Sequence, residues 1–135
     1  MTLKLCDNRR VVYHLTSLLI NDYIPVLSLS LYVCAVPAHF KTKFSAQTVR
    51  KGQEVSIVCT AFGELPITIV VTKDRMQFDA SLEPRYEVVA NQRTDSYEMT
   101  IKIRETDRRD SSLFTCIAAN EYGKDEFNSQ IIVQG

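Results

Sequence analysis

Four cysteines and two histidines are the side chains of this sequence best suited to chemistry, and their spacing decides which chemistry that is. No two of Cys6, Cys34, Cys59 and Cys116 form a C-x-x-C pair, and His14 and His39 stand far from any cysteine cluster. The close ligand pairs of a zinc site are lacking, so no metal is expected. The same histidines fall outside the strand-like core, which leaves no Ser-His-Asp or Cys-His arrangement to activate a nucleophile. Gly52, Gly63 and Gly123 mark turns, and no glycine-rich phosphate loop is present. Neither catalysis nor a cofactor is expected. What remains is thiol oxidation. Cys59 and Cys116 each sit inside a strand-like run and suit one disulfide, a bond that persists in the oxidising secretory route. Two unpaired buried cysteines in a cytosolic module are the alternative.

The elements that must position these thiols are short strands. Over residues 54–60, Val55, Ile57 and Cys59 share a face. Over 113–120, Phe114, Cys116 and Ala118 do. Residues 67–73 put Ile67, Ile69 and Val71 on one side and Thr68 and Thr72 on the other. Residues 97–103 set Tyr97, Met99, Ile101 and Ile103 against Glu98, Thr100 and Lys102. A period of two with one apolar and one polar face is the pattern of a half-buried antiparallel sheet. Further strands are predicted over 44–49, as a first edge strand, over 85–90 and over 125–133. Turns fall at 50–53, at Gly63 to Pro66, at Asp74-Arg75 and at 121–123. Seven or so strands and no useful helical periodicity indicate an all-β, two-sheet sandwich. Inward cysteines from facing sheets about 10 Å apart can join. The clasp closes a loop of just under 60 residues and contributes about 4 kcal/mol on chain-entropy grounds.

The chain has 135 residues, with 16 basic and 16 acidic side chains. One domain fits this length, and the charge balance gives no pull toward nucleic acid or anionic lipid. The composition changes near Pro37. Residues 24–36 are apolar and uncharged over about 13 positions, too few for an ordinary membrane span. Residues 1–36 are open to three readings: a long signal peptide, a signal anchor, or an unstructured, non-native leader. Residues 37–135 form the expected domain. Cys6 and Cys34 have no assignable partner.

Two motifs carry a resemblance. Cys59-Thr60-Ala61-Phe62-Gly63, with Pro66 after it, and the run from Asp110 through Phe114, Cys116, Ala118 and Asn120 to Gly123 resemble the B and F strands of an I-set immunoglobulin domain. The resemblance implies a Greek-key immunoglobulin sandwich with one inter-sheet disulfide. Pro37-Ala38-His39-Phe40, Gln47-Thr48-Val49-Arg50-Lys51-Gly52, Pro66-Ile67-Thr68, Thr72-Lys73-Asp74 and Ile131-Ile132-Val133-Gln134 are also similar to the membrane-distal repeats of arthropod Dscam, the Down syndrome cell adhesion molecule. That likeness implies an extracellular, cell-surface module of a neuronal receptor in homophilic adhesion, axon guidance and dendrite self-avoidance. Its partners would be other proteins, itself or neighbouring immunoglobulin repeats, with the membrane reached only through a parent receptor or the N-terminal segment. A spacer repeat in a tandem array and an intracellular muscle-type I-set repeat are the alternatives.

The chain departs from the family pattern twice. Val71 stands where a tryptophan normally packs on the disulfide, and Phe114 where a tyrosine normally bonds back at the corner. Losing the tryptophan removes about 100 Å² of burial, or roughly 2–3 kcal/mol, unless neighbours fill the space. Phe62, Met76, Phe78 and Met99 are the expected fillers. Asp110 ends the corner before the F strand, where the family pattern pairs it with a basic residue; Arg85 is the candidate. Two broad faces are open to partners. One carries Glu98, Thr100 and Lys102, and the other Thr68, Val70, Thr72 and Ile117. Val70 and Ile117, apolar on a polar face, are the candidate interface. No N-x-[ST] sequon masks either face.

Overall fold

Alternating burial along β3 (Val55–Phe62) and β7 (Ser96–Ile103) builds the first layer. The two strands pair antiparallel, so Val55, Ile57, Cys59 and Ala61 face inward beside Ile103, Ile101, Met99 and Tyr97. β1 (His39–Phe40) joins the free side of β3, and β6 (Tyr86–Gln92) that of β7. The second layer has the order β2 (Phe44–Arg50), β9 (Gly123–Gln134), β8 (Ser112–Asn120), β4 (Thr68–Lys73), β5 (Met76–Gln77). All pairs are antiparallel except β2 with β9. The steps β3 to β4, β5 to β6 and β7 to β8 each cross between layers, giving a Greek-key sandwich. The computed structural model describes residues 35–135, and Pro37–Gly135 form one compact unit. Cys6, Cys34 and all but the last two residues of the 1–36 segment lie outside the described residues.

The core fills the gap between the layers with Phe40, Ile57, Ile101, Ile103, Phe114, Ile131 and the two half-cystines. Turn chemistry holds the ends. Asp74 and Arg75 both have positive φ, 50° and 64°, the geometry of a two-residue I′ hairpin. The Asp74 carboxylate accepts from the Leu113 N–H at 2.9 Å. Gly52 turns the chain from β2 to β3 at φ 90°, a conformation that glycine adopts without steric cost. Buried Thr106 locks this turn to the β7–β8 corner, its hydroxyl donating to the Gln53 carbonyl at 2.7 Å.

The structure departs from the strand expectation at the N-terminal edge. Residues 44–49 do not begin the sandwich, because β1 precedes them in the opposite layer. The chain changes sheets between Phe40 and Phe44. A two-residue strand is too short to show alternation, and sheet switching leaves no periodic mark in the sequence.

Candidate functional site

Cys59 and Cys116 come from facing layers, are fully buried and form a disulfide with Cα atoms 6.4 Å apart. Cross-strand register shows what surrounds the bond. Met99 lies opposite Cys59, while Val71 and Phe127 flank Cys116. Residues directly opposite one another share a face, so Val71 points into the sandwich beside the disulfide. An open groove of about 480 Å³ lies on one side of Val71, lined by Val71, Phe78, Tyr86, Val88, Met99 and Ile101. Gln77, Asp79 and Ser81 supply polar lining. Of the four expected fillers, Phe78 and Met99 line the space and two do not. Met76 is 73% exposed on the far side of the hairpin turn. Phe62 lies at the other end of β3, where its ring stands 6.1 Å from that of His39 and under the Lys41 ammonium. Sequence alternation could not separate these aromatic and thioether side chains, because it gives a face and not a position along the sandwich.

Asp110 is fully buried in the short 3-10 turn Arg108–Asp110. Arg85 grips it bidentately, Nη1 donating to Oδ2 at 2.8 Å and Nη2 to Oδ1 at 3.2 Å. The Tyr86 hydroxyl donates to Oδ1 at 2.6 Å and the Asp107 N–H to Oδ2 at 2.7 Å. Burial works to raise the Asp110 pKa. The bonds from Arg85, Tyr86 and Asp107 outweigh it, and the carboxyl is held below the usual carboxylate range. Hydrogen bonding to Asp110 pushes Arg85 up. Tyr86 is pushed up by burial first and then by its bond to the anion. Four donors within the domain thus satisfy the Asp110 carboxylate.

Tyr86 is the residue that sequence reasoning missed. Phe114 occupies the usual tyrosine position and cannot donate. The corner instead receives the Tyr86 hydroxyl from β6, in the layer opposite Phe114, and the Phe78 ring bridges the two at 5.2 Å from Tyr86 and 6.0 Å from Phe114. The signal available was the Arg85-Tyr86 pair at the start of a strand.

The outward faces carry two apolar pairs. Val70 sits opposite Ile117 across β4 and β8 and is 51% exposed. On the other layer Val58 and Val89 flank Thr100 from either side, both well exposed. The second pair escaped the sequence reading because Val58 stands between inward residues of β3, in a segment read for its core face.

The family model described as "Immunoglobulin I-set domain" matches residues 38–133. The chain is 35% identical over 98 residues to "Cell adhesion molecule Dscam1" of Drosophila melanogaster, covering 73% of this chain and 5% of that protein. It is 31% identical over 115 residues to "Cell adhesion molecule DSCAM" of Homo sapiens, covering 84% of this chain and 6% of that protein. The chain thus spans about a twentieth of the length of the relatives it matches. Among solved structures, the titin M3 domain superposes with a TM-score of 0.63 at 24% identity, over 74% of this chain and 99% of that one. At that identity the likeness concerns the fold alone.

Proposed function

The chain belongs to the immunoglobulin I-set family, and from that premise we propose that it is an extracellular recognition module of a Dscam-like neuronal receptor, acting in homophilic adhesion, axon guidance and dendrite self-avoidance. Residues 37–135 are the working domain in this reading, and residues 1–36 a signal peptide or an unstructured, non-native leader. The observation that carries it is the outward apolar pair Val70–Ile117 on a disulfide-clasped sandwich. Aliphatic side chains on an otherwise polar sheet face are a small interface core, and the surrounding polar residues form its rim. Likeness to the adhesion molecules named above supports the setting, and the disulfide supports the oxidising compartment that the setting requires.

Sedimentation velocity of the oxidised chain across a concentration series tests the proposal. Reversible self-association that Val70→Lys weakens is the expected result. A strict monomer at every concentration would overturn the homophilic reading in favour of a spacer repeat. Thiol titration of protein taken from its native source tests the compartment. Free Cys59 and Cys116 thiols there would overturn the extracellular assignment.

A further inference from the structure

The outward face of β4, β8 and β9 carries a pattern of charge as well as an apolar pair. Val70, Ile117 and Glu126 lie in one cross-strand row, and Thr68, Ala119 and Lys124 lie in the next. Along the outward side of these three strands, Lys124 and Glu126 are the only charged side chains. Both are exposed, and among the described residues neither has an ion-pair partner. A sheet face otherwise depleted of charge has the composition of an interface core. Two opposite charges, two residues apart on it, restrict what can cover it. The partner must bring an anion to Lys124 and a cation to Glu126, with aliphatic side chains beside them.

A second copy of the domain meets these demands by symmetry. In a two-fold arrangement one patch serves both subunits. The fitting axis lies parallel to the sheet, runs across the strands and passes midway between the two rows. Each strand then stacks antiparallel on its counterpart, and each row faces the other row of the copy. Lys124 faces Glu126 of the copy and Glu126 faces Lys124, which makes two ion pairs. Ile117 meets Ala119 of the copy, and Val70 meets Thr68. Twisted sheets packed face to face keep their strands within about 30° of each other, so stacking strand on strand is an ordinary geometry.

Charge rules out the neighbouring choices. An axis through either row sets Lys124 on Lys124 or Glu126 on Glu126. An axis along β9 sets both like pairs together. An axis along β8 lays the two charges on Thr68 and Val70 with no partner. Like charges brought together across an interface are strongly unfavourable, and complementary ones fix its register.

We propose that this face pairs with a second copy of itself in an antiparallel two-fold stack, its register set by Lys124–Glu126 ion pairs between the copies. The inference rests on the self-association read from Val70 and Ile117, and it adds the geometry.

Sedimentation velocity of the full, oxidised chain and its charge variants gives the test. Lys124→Glu and Glu126→Lys each put like charges at both pairs. Each alone should weaken self-association at least about tenfold. An equimolar mixture of the two should associate again as heterodimers, because an all-acidic patch then faces an all-basic one. That recovery also excludes misfolding as the cause of the loss. The double variant Lys124→Glu/Glu126→Lys exchanges the signs and keeps the match, so it should self-associate like the parent. A parent chain that stays monomeric overturns the self-association reading and this geometry with it. A parent that associates but is indifferent to both reversals overturns the register alone. So do two variants that remain apart when mixed.

Discussion

Asp110→Asn isolates the contribution of the corner lock, and its size follows from the contacts. The carboxylate accepts four hydrogen bonds, two from Arg85 and one each from Tyr86 and Asp107. Asparagine keeps the shape but turns one acceptor into a donor. In either amide orientation the new NH2 meets an Arg85 N–H, since Arg85 contacts both oxygens. Removing one partner of a buried ion pair costs about 3–5 kcal/mol. The Arg85 side chain is 20% exposed, so water partly rescues it and the lower end, about 3 kcal/mol, is expected. For a domain with a net stability of about 5–15 kcal/mol that is a large fraction. Tyr86→Phe removes one bond to the anion and leaves no new unpaired group, so it costs about 1.5 kcal/mol. Urea unfolding of the oxidised protein measures both. The pH dependence adds a second check. The Asp110 pKa is lowered in the folded state. Its contribution is therefore complete above the unfolded value of about 3.9 and is lost as pH falls through the folded value. The gap between parent and Asp110→Asn should be widest near neutrality and narrow in acid below that range. A loss under about 1 kcal/mol at pH 7, against the 3–5 expected of a broken buried pair, or a gap that does not change with pH, would refute the reasoning.

Val71→Trp should raise stability by about 1–3 kcal/mol, because about 100 Å² of added burial enters existing space. A denaturation midpoint no higher than the parent's would mean the groove does not admit the ring. Removing the disulfide with Cys59→Ala and Cys116→Ala should cost about 4 kcal/mol for a loop of this length, with a sequence separation of 57; calorimetry of the double variant decides. Val70→Lys should change stability by no more than about 0.5 kcal/mol, as befits an exposed site away from the core. A larger loss in urea unfolding would show that Val70 belongs to the packing rather than to a surface.

Much of the architecture was legible in the residues because a period of two leaves its trace wherever one strand face is buried and the other wet. Val55, Ile57 and Cys59 declared one inner face, and Phe114, Cys116 and Ala118 the other. Two cysteines on opposed inner faces imply their own meeting. The substitution at Val71 was equally visible, since a missing ring is a fact of composition. What the residues did not contain was the fate of the space. Whether neighbours close a gap depends on where each side chain lies along the sandwich, and alternation is blind to that coordinate. Phe78 and Met99 lie against the groove, Met76 turns to solvent, and the gap stays open. The same blindness hid Tyr86. Its hydroxyl reaches Asp110 from another strand, 24 residues away in sequence, and only the packing of the layers brings such distant groups within bonding distance. Local pattern thus determined which faces turn inward, and tertiary structure alone decided which inward groups touch and where the interior remains unfilled.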